Sequence, residues 1–302
     1  MKLSAEAMVL ASFLGDSLAL GVHWIYDTEQ IDRHTGRITD LLPPLEGSYH
    51  QTKKKGEFTH YGDQSLLLLR HLVLQGGQFS LPAFARQWRE FFADYSGYMD
   101  RATKATLQNL EQGRSPDTSG SPSTDLGGAA RMAPLIYCYR DDLEGLLTAI
   151  RAQTALSHNG PGAVDGAVFL AHSCYAILHG APPREAFNEA LANGIADIDL
   201  DLRLRRCLDQ PDVSIRQAVK DFGQACSMSA ALPGAVYTVL HSPKDLEGAL
   251  IETAMAGGDS AARGMVVGML LGAGLGMEAL PELWLQNLAA YQEIRTALNK
   301  LP

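Results

Sequence analysis

The sequence lacks the features that mark several large classes of protein. Its four cysteines, Cys138, Cys174, Cys207 and Cys226, form no C-x-x-C pair, which argues against a zinc ribbon or a dithiol redox motif. They read as small buried apolar residues of a reducing compartment. No Lys/Arg run is longer than Lys53-Lys54-Lys55, and the formal net charge is −9, so no basic stripe for nucleic acid is expected. An acidic balance of this kind mainly keeps a chain soluble. The apolar runs at 8–14 and 265–275 fall short of the ~18 residues that a membrane span needs. The first is flanked by Glu6 and Asp16 and reads as a buried helix rather than a signal peptide. Period-two alternation, short repeats and a strong linker are also missing. A soluble, cytoplasmic chain that binds neither nucleic acid nor membrane is expected.

What is present fits one domain spanning 1–302. With 46% hydrophobic and 20% charged residues, 302 residues can bury a core of ordinary density. Helical periodicity dominates. It predicts helices at 4–20, 64–74, 81–95, 101–112, 126–139, 143–156, 163–178, 183–195, 213–224, 230–240, 246–255 and 260–275. The first is apolar on more than one side, as a central helix would be. Pro183 suits an early helical position, Ser242-Pro243-Lys244-Asp245 reads as a turn, and Asp259 or Ser260 suits an N-cap. Two loops, 36–57 and 113–124, are long enough to be functional lids or plain surface excursions. The fold class is all-α.

Five polar segments interrupt these helices: Gly15-Asp16-Ser17-Leu18 with His23-Trp24-Ile25-Tyr26-Asp27; His60-Tyr61-Gly62-Asp63-Gln64-Ser65; the run from Asp125-Leu126-Gly127-Gly128 through Arg131 to Ala133-Pro134-Leu135; Ser157-His158; and Gly257-Gly258-Asp259-Ser260-Ala261-Ala262-Arg263. Each sets glycine or a polar residue near a helix start, where free N–H groups favour anions or an acidic cap. Asp63 and Asp259 could share a hard cation if they converge; alone, an aspartate at such a start is more often an N-cap than a metal ligand. Arg263, one turn into the last of these helices, could hold a phosphate or pair with Asp259. Trp24, Tyr95 and Tyr98 could stack on a flat ring.

In order and spacing, these segments resemble the ADP-ribosylglycohydrolase superfamily over nearly the whole chain. The fold implied is a single large orthogonal helical bundle. The family's early Gly-Asp-Ala-Leu-Gly appears as Gly15-Asp16-Ser17-Leu18-Ala19. Its Thr-Asp-Asp-Thr metal segment appears as Gly62-Asp63-Gln64-Ser65, and its closing Gly-Gly-Asp-Thr-Asp-Thr as Gly257-Gly258-Asp259-Ser260-Ala261-Ala262. His158 matches a histidine that the family carries after the next helix.

The departures lie in the metal set. The resemblance implies two Mg²⁺ ions held from the second and last segments. Asp63 and Asp259 remain, as an incomplete ligand pair; Gly62, Gln64, Ala261 and Ala262 replace the other ligand types. Most of the negative charge that would balance two divalent cations is gone. His23 stands where an acidic residue usually follows the first segment, and could act as a base or stack in its aromatic surroundings. These substitutions resemble the branch related to the J1 crystallins.

Two readings of function follow. One is a hydrolase of a glycosidic bond in ADP-ribose or a related ribosyl compound, with little or no dependence on Mg²⁺. Its catalytic candidates are Asp63, Asp259, His23 and His158. Its ligand-binding candidates are Asp16, Gln64, Gly127, Gly128, Arg131, Gly258, Ser260 and Arg263, and its substrate is a small molecule or an ADP-ribosylated one. The other is a catalytically inactive, nucleotide-binding or structural protein of the crystallin J1 kind.

Overall fold

A computed structural model describes all residues, Met1–Pro302. The helices are α1 (Lys2–Ala19), α2 (Thr28–Thr35), α3 (His60–Leu74), α4 (Leu81–Ala93), α5 (Arg101–Glu111), α6 (Gly127–Ala130), α7 (Ala133–Cys138), α8 (Leu143–Ala155) and α9 (Pro161–Leu178). They continue as α10 (Pro183–Ala192), α11 (Ile198–Leu208), α12 (Ile215–Phe222), α13 (Met228–His241), α14 (Leu246–Met255), α15 (Ser260–Leu275), α16 (Glu282–Asn287) and α17 (Tyr291–Asn299). The only β pairing is two isolated bridges, Ser121 with His158 and Asp125 with Ser227. The all-α expectation holds.

The centre is a pair of antiparallel helices, α1 and α15, both buried along almost their whole length. Small residues let their backbones touch. A Cβ on Gly15 would strike the Gly264 carbonyl, and one on Gly268 the Ala11 carbonyl. Because the pair is antiparallel, the C-terminal end of α1 and the N-terminal start of α15 meet at one end of the molecule. The His23 turn therefore lies beside Asp259 and Ala261. Helix α9 is long and apolar enough to cross a membrane by length and composition alone, contrary to the expectation that no run qualifies. It is mostly buried and packs against α8, α10 and α15, as a core helix does.

Two local expectations are corrected. The run 126–139 is two short helices, because Arg131 and Met132 leave helical register and Pro134, which has no N–H, opens α7. Helix α3 starts four residues earlier than its leucine period suggests. Thr59 is its cap, accepting from Tyr61 N at 3.2 Å, so Asp63 sits one turn inside rather than at the cap. The 36–57 loop is a folded strap. Trp284 Nε1 donates to Thr39 O at 3.0 Å, Asn287 Nδ2 to Asp40 at 3.1 Å, and Ala289 N to Gly56 O at 2.9 Å. Asp259 caps α15 as expected, accepting from Ala262 N at 3.3 Å.

Candidate active site

The chain enters α15 through Gly257 and Gly258, both left-handed at φ 69° and 66°. Gly258 exchanges two backbone hydrogen bonds with the turn after α1: Trp24 N donates to Gly258 O, and Gly258 N to Ile25 O, each at 2.8 Å. This clasp holds Trp24 at φ 65°, a conformation that side chains other than glycine rarely adopt. It also aims His23 at the start of α15. His23 Nδ1 accepts from Ala261 N at 3.3 Å, so Nε2 carries the ring proton, and no protein group accepts it.

Two further imidazoles stack beside it. His50 comes from the strap and His60 from the first turn of α3. His50 lies 5.4 Å from His23 and 5.6 Å from His60, ring centre to ring centre. Both ring nitrogens of His50 and of His60 are buried without a hydrogen-bond partner in the protein. Burial, then the neighbouring His60 and Lys53 charges, pushes His50 down to about 3. His23 is also held well below its ordinary value, by burial first and then by His50, His60 and Arg263. Its 3.7 Å approach to Asp259 is therefore not an ion pair at neutral pH. Trp24, Tyr49 and Tyr98 close the outer side of the stack, edge to face, at 5.0–5.4 Å from one another.

Carboxylates flank these rings. Asp100 Oδ2 lies 3.4 Å from His60 Nε2, while its other oxygen caps α5 through Thr103 N at 2.6 Å. Burial works against ionisation of Asp100, yet contact with His60 and the nearby His158 hold it well below the usual carboxylate range. Asp259 accepts from the Tyr61 hydroxyl at 3.2 Å, and its burial raises its pKa. Asp16 accepts from Thr59 N at 2.8 Å and from Thr59 Oγ1 at 2.5 Å; burial still raises it to about 6. His158 Nδ1 lies 2.9 Å from Ser157 Oγ, its Nε2 is unpaired, and burial lowers it to about 4.

The remaining sequence candidates divide into support and lining. Gln64 and Arg131 form a hydrogen-bonded network beneath the site that leaves Arg131 Nε unpaired. Gln64 Oε1 accepts from Trp88 Nε1 at 2.9 Å and from Arg131, Gln64 Nε2 donates to His60 O at 3.1 Å, and Arg131 also donates to Ser157 Oγ. Gly127 and Gly128 make room for two site rings: a Cβ on Gly127 would enter the Tyr61 ring, and one on Gly128 would lie 2.6 Å from His158 Cβ. Ser260 Oγ is buried and unpaired beside the cap. Arg263 is fully buried, donates one hydrogen bond to Gly257 O, makes no salt bridge with Asp259, and keeps Nε and Nη1 unpaired. Burial lowers its pKa to about 10.

Asp63 stands at a separate corner. Lys53 Nζ and the Tyr95 hydroxyl both reach its Oδ2, each at 2.5 Å. Asp63 and Asp259 thus have different partners. No group of three or more His, Cys, Asp or Glu side chains is arranged to hold a metal ion. Beside Asp63 are an ammonium, a phenol and an Asp16 already bound to Thr59; beside Asp259 are Ala261 and Ala262. This donor set does not fit the two Mg²⁺ ions that the sequence resemblance implies.

Sequence reasoning missed His50, His60, Asp100, Lys53 and Tyr61 as site residues. His60 and Tyr61 lie within a recognised segment and could have been found there. Neither His50 nor Lys53 carries a local signal, because the strap's path sets their positions.

Known proteins resemble this chain in sequence and in fold. Over 96% of this chain and 93% of its own length, Crystallin J1A of Tripedalia cystophora is 24% identical. The ADP-ribosylhydrolase ARH3 of Homo sapiens is also 24% identical, over 58% of this chain and 56% of its own length. A solved "ADP-ribosylglycohydrolase-related protein complex" superposes with a TM-score of 0.79 at 22% identity, covering 99% of this chain and 96% of that one. The sequence model of the ADP-ribosylglycohydrolase family matches residues 3–302. The chain belongs to the ADP-ribosylglycohydrolase family.

Proposed function

We propose that the chain hydrolyses a glycosidic bond of ADP-ribose or a related ribosyl compound without a divalent metal. The observation that carries this reading is the stack of buried imidazoles, His23, His50 and His60, with unpaired ring nitrogens between Asp100 and Asp259. In glycosidic hydrolysis the bond from the anomeric carbon to the leaving group breaks as water adds, and positive charge builds on the ribose ring. A neutral imidazole can take the water's proton, and an ionised carboxylate behind it stabilises the imidazolium that forms. His23 and His158, whose pKa values burial lowers, are candidate bases of this kind, and the His60 ring lies 3.4 Å from the Asp100 carboxylate. Asp259, at the start of α15, lies where it can face the developing ring charge. The unpaired Nε and Nη1 of Arg263 suit a phosphate or another anion of the substrate.

The test is release of free ADP-ribose from arginine-linked and serine-linked ADP-ribosyl peptides and from ADP-ribosyl phosphate, in EDTA, followed chromatographically. Release that falls by about 10²-fold or more in His60→Ala supports the reading. Absence of release from every substrate class removes it.

A second reading has its own observation in favour. The Lys53 ammonium already neutralises Asp63, and Crystallin J1A aligns along nearly the whole chain. On this reading the pocket binds a nucleotide-like ligand without turnover. Thermal stabilisation by ADP-ribose with no product would favour it over hydrolysis.

A further inference from the structure

We propose that Lys53 is the built-in cation of this site: its ammonium, carried on the 36–57 strap, sits on Asp63 within the family's metal segment and closes that corner to divalent ions. This deepens the metal-free reading above and rests on it only for the absence of a divalent ion, not for turnover.

The geometry differs from that of an ordinary surface pair. The Lys53 and Asp63 side chains are 15% and 14% exposed, whereas the surface pair Arg70–Glu293 is 48% and 44% exposed. Partial burial leaves the attraction less screened. The oxygen that takes the ammonium also takes the Tyr95 hydroxyl, and Lys53 Nζ lies 5.7 Å from the centre of the Tyr95 ring. One carboxylate oxygen thus has two donors, both of which a divalent ion would have to displace.

The lysine is also held from behind. Lys53 N donates to His50 O at 2.9 Å, and His50 is locked in the imidazole stack. Two residues on, Lys55 Nζ pairs with Asp40 at 2.6 Å, and Gly56 O accepts from Ala289 N at 2.9 Å. Withdrawal of the ammonium would require the strap to move. Neighbouring substitutions agree with a single positive charge at this corner. Gly62 has no oxygen to offer, and a Cβ there would come 2.5 Å from Asp16 Oδ2, so Asp16 fills space that a larger side chain would need. Gln64 has both ends of its amide in use. With Lys53 in place, the Asp16–Asp63 corner holds one fixed cation. Without it, Asp63 would keep only the Tyr95 hydroxyl, with the carboxylate of Asp16 nearby, and the excess negative charge would favour a hard divalent ion.

The experiment compares the full chain with Lys53→Met and Lys53→Arg by Mn²⁺ titration in electron paramagnetic resonance, and by thermal melting in EDTA and in Mg²⁺. None of these readouts requires catalysis, so a failed hydrolysis assay leaves the result interpretable. The wild type and Lys53→Arg are expected to bind no Mn²⁺ up to about 1 mM, an ordinary ceiling for weak oxygen sites, and to melt identically in EDTA and Mg²⁺. Lys53→Met is expected to melt lower in EDTA, to regain stability in Mg²⁺, and to bind Mn²⁺ at least tenfold more tightly than the wild type. If Lys53→Met does not fold in EDTA, Lys53→Gln takes its place, and the wild-type titration stands alone as a test. Sub-millimolar Mn²⁺ binding by the wild type that Asp63→Asn abolishes, or a lysine-free variant indifferent to Mn²⁺ and Mg²⁺, would overturn the proposal.

Discussion

Mild acid should destabilise this fold through its buried histidines. Burial holds His50 at about 3 and His158 at about 4, against 6.5 in an open chain. Their folded values are depressed, so the unfolded state binds protons first, and stability is lost as the pH falls below 6.5. Between pH 7 and pH 5 the linkage amounts to about 2 kcal/mol for each residue, or about 4 kcal/mol for the pair. His23 shifts the same way. Asp16 opposes them: its folded value of about 6 lies above 3.8, so its burial penalty is relieved as the pH falls through 6, returning about 1 kcal/mol by pH 5. Asp259 and Asp125 are raised too and act in the same sense as Asp16. Asp100 is depressed and matters only nearer its ordinary 3.8. The cleanest quantity is therefore a difference between proteins. Urea unfolding at pH 7 and pH 5, followed by circular dichroism, should show the wild type losing about 4 kcal/mol more than the His50→Gln/His158→Gln double variant over that interval. A double variant with the wild-type pH dependence would refute the reasoning.

Other substitutions probe the support beneath the site. Gln64→Leu strands the Trp88 indole N–H and the Arg131 guanidinium in the interior, so it should cost about 3–5 kcal/mol in urea unfolding; a loss under 1 kcal/mol would contradict the network. Gly62→Thr, which restores one family ligand type, should cost about 1–3 kcal/mol because its Cβ meets Asp16 Oδ2 and Phe58 Cβ; a variant as stable as the wild type that also binds Mg²⁺ would show that the corner is roomier than described. Asp259→Asn preserves the α15 cap through its amide oxygen while removing the charge. It should leave the melting temperature nearly unchanged and lower ADP-ribose release by about 10²-fold or more; unchanged release would remove Asp259 from the chemistry.

The fold was legible where the apolar period of 3.6 runs uninterrupted. Helix α14 has the expected bounds, and α15 begins at the cap that Asp259 announces. Helix α11 was missed because its Asp-Leu-Asp-Leu-Arg-Leu-Arg run alternates with a period of two. It is helical because Asp197 caps it and Asp199–Arg203 and Asp201–Arg205 pair at i,i+4, at 2.9 and 2.8 Å. The site was legible only where the chain order of motifs marks it. His23 and Asp259 come together because α1 and α15 run antiparallel, which glycine spacing hints at but does not fix, while His158 arrives separately on the segment after α8. Asp63 was found, but its partner was not. Lys53 reads as part of a solvated basic run until the strap's anchors at Asp40, Gly56 and Thr39 carry it inward. Gln64 and Arg131 looked like ligand-facing residues by position, and their mutual hydrogen bonds could not be read from their spacing.

The most direct measurement is ADP-ribose release by the purified chain in EDTA and in millimolar Mg²⁺, with His60→Ala alongside. Equal rates in the two buffers and a loss of about 10²-fold or more in the variant are expected. Release that appears only with Mg²⁺, or that survives unchanged in His60→Ala, would contradict the proposed function.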